Sequence, residues 1–512
     1  LNEPMASRTL AGLALFALTV LPMSAAQVNA QATMSPSPPT PGPYGSPVPR
    51  GTGPAALPSP ISSLPPASQP LTLPYPAYGT PVPGVNRGIP AAGIPQIVTL
   101  DQAIAIGFAR SPLLAQARAT IVIDTAPVDL AKTAVLPNIA GTASTAHDYT
   151  QNAQDGSQTR STGNTNVAAN SLSVALKQLI FDGGKVAAEL RAAKATQAGS
   201  IATYKRQLQT VAYNIANLYY AALAAQRTTQ VANETVKLNQ VNADLVSAQI
   251  QAGTTARSDL LTAELPVAQA RVALVKDQGA ELSAQAAFVN AMGIDANTYV
   301  LPADDGNVLA GSSGAPQVAV PTYAVAIARA YMLRPDFSAQ QLAISSTQAS
   351  LKAARLGLFP NLNGSGSYGT ASTDPNGGTF RNSGSIGLTL SIPIFDQGIT
   401  HAQVEQAQGQ LDAAVAQLET AREGIQLNVK QTLVSLVSAG ATVDQTQAEL
   451  ANAREVLQAT QAQYAAGVTT LPLLLNAEVG LTQALVDQVN AVYALRQAEA
   501  AFLFAEGANA PA

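Results

Sequence analysis

The 512 residues contain no cysteine and no tryptophan. The absence of cysteine excludes disulfides, thiolate metal sites and a lipid-modified N-terminal cysteine. Charged residues make up only 11%, and a formal net charge of -4 gives no footprint for nucleic acid. The two histidines, His147 and His401, are far apart in dissimilar settings, so a metal site is not expected. The chain offers no Ser/His/Asp or Cys/His set and no paired carboxylates in a cleft-like context, which argues against an enzyme and against a bound cofactor. Beyond the N-terminus no run of apolar residues is long enough to cross a bilayer as a helix.

What is present begins with a secretory signal pattern. Arg8 supplies a positive region, Leu10 to Leu21 an apolar stretch, and small residues follow, with cleavage sites after Ala26 or Ala30. Met5 reads as the initiator. Residues 1–30 are therefore expected to be a signal peptide. Residues 31–97 hold 19 of the 34 prolines and two charges, Arg50 and Arg87. Such a segment buries too little apolar surface to offset its ordering entropy, and it reads as an extended, disordered linker.

From residue 99 onward the chain repeats itself. Ser111-Pro112 returns as Arg334-Pro335, and Leu136-Pro137-Asn138 as Phe359-Pro360-Asn361, at an offset of 223. Ile180-Phe181-Asp182 returns as Ile394-Phe395-Asp396, Gly253-Thr254-Thr255 as Gly467-Val468-Thr469, and Ala263-Glu264 as Ala477-Glu478, at an offset of 214. One variable loop absorbs the nine-residue difference. The organisation expected is a first repeat over 98–300, an inter-repeat linker over 301–321 and a second repeat over 322–507.

Within each repeat the periodicity changes. Leu172, Val174, Leu176, Gln178 and Ile180 alternate with smaller or polar residues, and Ile386, Leu388, Leu390, Ile392 and Ile394 do so in phase. Runs of about ten residues suit tilted strands that cross a bilayer. Each is preceded by a strand rich in Gly, Ser and Thr, so hairpins are expected over about 139–181 and 361–395. After them the pattern turns helical. Leu208, Val211, Ile215, Leu218 and Ala222 step by three and four, as do Leu238, Val241, Leu245 and Ala248, which is the seam of packed long helices. Lys185 to Ala252 and Ile399 to Ala466 each span 68 residues, or roughly 100 Å as helix. Each ends at a glycine turn, Gly253 or Gly467, with return helices expected at 258–291 and 471–505. Leading helices are expected at 112–135, where Pro127 predicts a kink, and 335–358.

This ordered, duplicated set resembles the TolC family of outer-membrane efflux proteins over residues 99–507. The resemblance implies a mainly α chain with one transmembrane β-hairpin per repeat. Three copies would share a 12-stranded β-barrel continued by a long α-helical barrel in the periplasm. Closing twelve strands agrees with the physics, because four strands leave open edges that lipid does not tolerate. It implies an outer membrane channel of a tripartite efflux or type I secretion system, a passive export duct. Its partners would be a homotrimer of itself, a periplasmic adaptor protein, an inner-membrane transporter and outer membrane lipid, with no nucleic acid and no cofactor. The mouth would be formed by the turns at Gly253 and Gly467. There the family ties an acid to a tyrosine and an arginine. By spacing, Asp259 matches the acid, Tyr464 the tyrosine and Thr469 the arginine position. Leu473 and Asn476 stand where the family has rings of aspartate. The expectation is an apolar leucine constriction with weak cation preference. Asp259 also has a plain reading, as a carboxylate favoured by the N-terminal dipole of its helix, and Tyr464 one as a packing residue.

The Gly364-Ser365-Gly366-Ser367-Tyr368-Gly369 run fits GxGxxG, but it lies inside a strand-like segment and opens no helix, so it does not read as a nucleotide loop. Tyr149, Tyr368, Phe181 and Phe395 fall near hairpin ends, where aromatic girdles or ordinary packing would place them. The competing class is a secreted structural coiled coil or adhesin-like protein. It requires polar residues on both strand faces, whereas Ile386 to Ile394 form a continuous apolar one.

Overall fold

The computed structural model describes residues 96–150, 165–253, 255–303, 320–373 and 379–509, all within one compact unit, Ala77–Ala512. The expected signal peptide, nearly all of the proline-rich linker and most of the inter-repeat linker lie outside the described residues.

The elements follow the two-repeat order. The first repeat runs β1 (Ile97–Val98), α1 (Leu100–Arg110), α2 (Pro112–Thr133), β2 (Asn138–Thr150), β3 (Thr165–Phe181), α3 (Lys185–Gln251), α4 (Arg257–Ala291) and β4 (Leu301–Pro302). The second runs α5 (Tyr323–Leu333), α6 (Pro335–Arg355), β5 (Asn361–Thr373), β6 (Arg381–Ser391), α7 (Ile399–Ala465) and α8 (Leu471–Glu506). The offset of 223 carries α1 onto α5 and α2 onto α6, and the offset of 214 carries α3 onto α7. The 11-residue helices α1 and α5 were not anticipated from the sequence. Nor was the parallel pairing of Ile97 with Leu301 and Val98 with Pro302, which turns the margins of both expected linkers into β-structure.

The long helices start where they do because of the two Ile-Phe-Asp motifs. Asp182 accepts from the backbone N–H of Gly184 (2.9 Å) and Val186 (2.6 Å), and Asp396 from Gly398 (3.1 Å) and Thr400 (2.7 Å). Each carboxylate satisfies donors that the first helical turn leaves orphaned. Those bonds to Thr400 and Gly398 hold the Asp396 carboxyl below its usual range. The helices end at Gly253 and Gly467, whose φ values of 74° and 73° suit a residue without Cβ. At 67 residues each, α3 and α7 are one residue shorter than expected. Helix α2 runs on through Pro127, and α4 likewise contains Pro266.

The four strands form one antiparallel sheet in the order β2-β3-β5-β6. Strand β6 stops at Ser391, short of the expected 394, because Pro393 has no N–H to offer a ladder. Strand β3 carries a bulge between Leu179 and Phe181 that takes Ile180 out of register.

The packed core is divided between the repeats unequally. One cluster joins Ile215, Tyr219 and Leu223 of α3 to Phe288 and Val289 of α4, and it draws in Val489 and Tyr493 of α8. A second, built on Ile425, Val429 and Leu436 of α7, takes all its buried members from the second repeat. A third, near the glycine turns, packs Leu471 and Leu475 of α8 on Ala243, Val246, Ala263 and Val267. Helix α3 is thus covered by both repeats and α7 by one.

Candidate functional site

Cross-strand register sorts the sheet into two faces. Ile139 pairs with Leu176, Gly141 with Val174, and Ala143 with Leu172. The same row continues through Tyr368 opposite Val174, and through Ile386, Leu388 and Leu390 opposite Gly366, Gly364 and Leu362. Ile139, Leu172, Val174, Leu176, Tyr368, Ile386, Leu388 and Leu390 are all exposed, so this apolar face is bare in a single chain. On the other face Thr142 and Ser173 share a hydrogen bond of 2.8 Å, as do Ser144 and Ser171, and Ser367 bonds Ser385 at 2.9 Å. Lys177, opposite Asn138 and Ser365, puts an ammonium group on this hydroxyl face. One apolar and one hydroxyl face is what a strand needs when lipid lies on one side and water on the other. Phe181 and Phe395 are exposed at the helix end of the hairpins. The side chain of Tyr149 lies outside the described residues. The glycine-rich run Gly364 to Gly369 lies within β5 and opens no helix. No described helix is long and apolar enough to cross a membrane.

At the far end of the long helices the expected mouth residues gather around the two glycine turns, though not all in contact. Asp259 lies in the first turn of α4 and takes a 3.4 Å bond from the Ser258 hydroxyl. The Tyr464 hydroxyl donates to Gln249 Oε1 at 3.3 Å, not to Asp259, and its ring packs on the third cluster. Thr469 is half-buried. Leu473, 51% exposed, and Asn476 lie on an open face of α8.

Sequence reasoning missed the polar ladder that joins α3 to α7 and α8. Thr235 meets Thr482 at 3.3 Å, Asn242 donates to both oxygens of Glu478 at 2.6 and 2.5 Å, and Gln249 receives Tyr464. The α3 residues are seven apart, so the rungs recur at one heptad position. Polar groups at such positions fix register at a cost in stability. Glu478 is only 2% exposed. Burial pushes its carboxyl up, and the Asn242 amide opposes that. The signal was legible in principle, since Thr235, Asn242 and Gln249 interrupt an apolar seam at constant spacing.

A second joint binds the repeats where α3 crosses the ends of α6 and α8. Arg206 lies 3.8 Å over the Phe504 ring, donates to the Phe504 carbonyl at 3.0 Å and approaches Asp336 at 3.6 Å. Arg334 pairs with Asp336 at 2.7 Å and donates to Ala505 O. Gln209 donates to Gly507 O at 2.7 Å. Burial lowers the Arg206 pKa to about 10; Asp336 counters this and Arg334 adds to it. Burial by itself would raise the Asp336 carboxyl, but the Arg334 hydrogen bonds and both guanidinium charges outweigh it and hold the group low. Among the described residues no group of three His, Asp or Glu is placed to hold a metal.

A membrane-crossing hairpin in each repeat, continued by helices of this length, defines an outer membrane β-barrel channel with a helical tunnel. The chain belongs to the outer membrane efflux protein family, whose model matches residues 107–294 and 326–508. It is 30% identical over 416 residues to Protein CyaE of Bordetella pertussis, covering 80% of this chain and 84% of that one. It is 25% identical to the outer membrane efflux protein BepC of Brucella suis, over 78% of this chain and 85% of that one. In fold it resembles the CmeC outer membrane channel of Campylobacter jejuni, with a TM-score of 0.70 at 17% identity, over 80% of this chain and 86% of that one. The protein is therefore an outer membrane export channel with its helical tunnel in the periplasm, and its family is one of channel proteins, not enzymes.

Proposed function

We propose that three copies of the chain close a twelve-stranded barrel and act as a passive duct that catalyses nothing. An inner-membrane transporter and a periplasmic adaptor would deliver the cargo. The observation that carries this reading is the two-faced, four-stranded sheet with β2 and β6 as unpaired edges. In hydrocarbon an unpaired strand edge costs several kcal/mol per orphaned group, so the sheet persists only when closed. Three four-stranded sheets give an even number of strands, as bacterial barrels have. A secreted filament would have no use for the bare apolar face. Native mass measurement in detergent and single-channel recording in planar bilayers test the proposal. It expects a trimer with discrete conductance steps, and a non-conducting monomer overturns it.

At the mouth, the proposal is a constriction made by Leu473, with Asn476 a short way along the same helix and with Asp259, Tyr464 and Thr469 around the turns. Three copies of an exposed leucine on α8 give an apolar ring without fixed charge, and Asp259 leaves a weak preference for cations. Leu473→Asp should raise the cation-to-anion permeability ratio and change conductance. If both stay at wild-type values, Leu473 does not line the constriction.

A further inference from the structure

The hydroxyl face of the sheet holds little charge, and among its described side chains that charge has one sign. The four strands contain one lysine, Lys177, and one arginine, Arg381, both exposed. Lys177 lies level with Ser365 of β5 and Gly387 of β6. Arg381 pairs with Ala371, and Ala371 with Ser171, which puts it on the same face as Lys177. The two levels are six residues apart along β3, or about 20 Å. The one carboxylate of the strands, Asp148, pairs with Val167, ten residues from Lys177 toward the loop end, and its side chain lies outside the described residues. At the helix end, Asp182 and Asp396 follow the hairpins, but each turns its oxygens to backbone N–H groups of the helix that it starts.

Lys177 stands directly behind the apolar row. Leu176, Ile386 and Leu388 flank its level on the opposite face, and all three are exposed. An ammonium group at this level has water on its own side of the wall and, in a membrane, hydrocarbon on the other. A low-dielectric wall carries no counter-ions, so the field of the charge is focused into the water of the bore. Arg381 is placed differently: its level, that of Ser171, lies one residue beyond Leu172, at the margin of the apolar row. The hydroxyls beside these cations are neutral. Each pair, such as Thr142 with Ser173, spends one hydrogen between its members and leaves the other to turn toward the bore.

We propose that Lys177, with Arg381 as a weaker second level, makes the barrel bore an anion-favouring filter. Solutes that bear carboxylate, phosphate or sulfate groups would pass it more readily than cations of the same size. The inference rests on the closed-trimer reading, because one open sheet has no bore; closure sets three ammonium groups at one level. The sign is opposite to the weak cation preference proposed for the mouth, so the duct holds two filters of opposite sign in series.

The chain has no cysteine, so Ser365→Cys, level with Lys177, is a single reporter of the local potential. Relative to their rates with a free thiol, a sulfonate-bearing methanethiosulfonate should modify it at least about threefold faster than a trimethylammonium one in about 0.1 M salt. Lys177→Glu should invert that ratio, and about 1 M salt should bring it close to one. In planar bilayers under a potassium chloride gradient, Lys177→Gln should move the reversal potential toward cations and Lys177→Glu should move it further. Arg381→Gln should move it less. Lys177 packs against nothing that its loss would expose, and native mass checks that each variant assembles as the wild type does. A rate ratio indifferent to Lys177, or a reversal potential that Lys177→Glu leaves in place, overturns the filter while a conducting wild-type trimer keeps the duct reading intact. A wild type that is a non-conducting monomer overturns both.

Discussion

The two repeats have the same elements at the same spacing but differ in what their edges face. Arg206 stands over Phe504 inside the chain, while its counterpart Thr420 is open to solvent. Asn242 ties a buried Glu478, while the equivalent pair, Val456 and Glu264, is exposed and apart in chemistry. Duplication copied the geometry. The joint within the chain carries charge and hydrogen bonds, whereas the equivalent positions on α7, Thr420 and Glu423, are exposed. A polar cluster that forms once, during folding of one chain, can be buried early.

The contrast can be broken most severely at Arg206. Arg206→Ala removes the cation over Phe504 and the bond to its carbonyl, and it leaves Asp336 with Arg334 as its one cationic partner, which should cost about 3 kcal/mol. Thr420→Ala should stay within about 0.5 kcal/mol in unassembled chain. Thermal unfolding in detergent, followed by far-UV circular dichroism, compares them, and equal losses would mean that the two joints do not differ. Next, Asn242→Ala should cost about 2 kcal/mol, because a buried carboxylate loses its donor, whereas Val456→Ala should cost clearly less in the same assay. Smaller still, Gly183→Gln should lose about 1–2 kcal/mol through its positive φ and the approach of Phe359. Gln397→Gly should be nearly neutral, since relief of the left-handed backbone is offset by a more flexible unfolded chain.

The mildest test uses pH. A carboxyl whose folded pKa is raised binds more protons in the native state than in the unfolded one, so stability falls as pH rises from the ordinary glutamate value, 4.5, through the raised value of Glu478. Glu478→Gln keeps one acceptor oxygen for the Asn242 amide, removes the titrating group and should flatten that slope in pH-dependent melting. An unchanged slope would assign the dependence to another group. Asp336 has the opposite sign: its folded pKa is lowered, so its contribution is present at neutral pH and lost as pH falls through that lowered value.

Much of this architecture could be read from the chain. The long helices, their glycine ends and the apolar rows of β3 and β6 came from periodicity, because burial on one face leaves a repeat of two or of three to four residues. The misses have local causes. Helices α1 and α5 are only 11 residues long and lie ahead of the leading helices expected from 112 and 335, too short for a sustained helical period to mark them. Strand β6 ended early because a proline that keeps the alternation still lacks an N–H. Around the glycine turns the resemblance marked Asp259, Tyr464, Thr469, Leu473 and Asn476 but no pairing within this chain: Tyr464 meets Gln249, a residue that it had not marked. Glu478 was visible only as one half of a repeated Ala-Glu pair.

By itself, then, the sequence determined the duplication, the element types and the two-faced strands, since these follow from periodicity and from where glycine and proline permit a turn. Only the tertiary structure decided which copy of each repeated residue is covered. Leu223 and Val437, or Glu478 and Glu264, occupy equivalent positions in a linear pattern. They differ because α3 lies between two repeats and α7 lies at an edge, and burial is a property of neighbours in space.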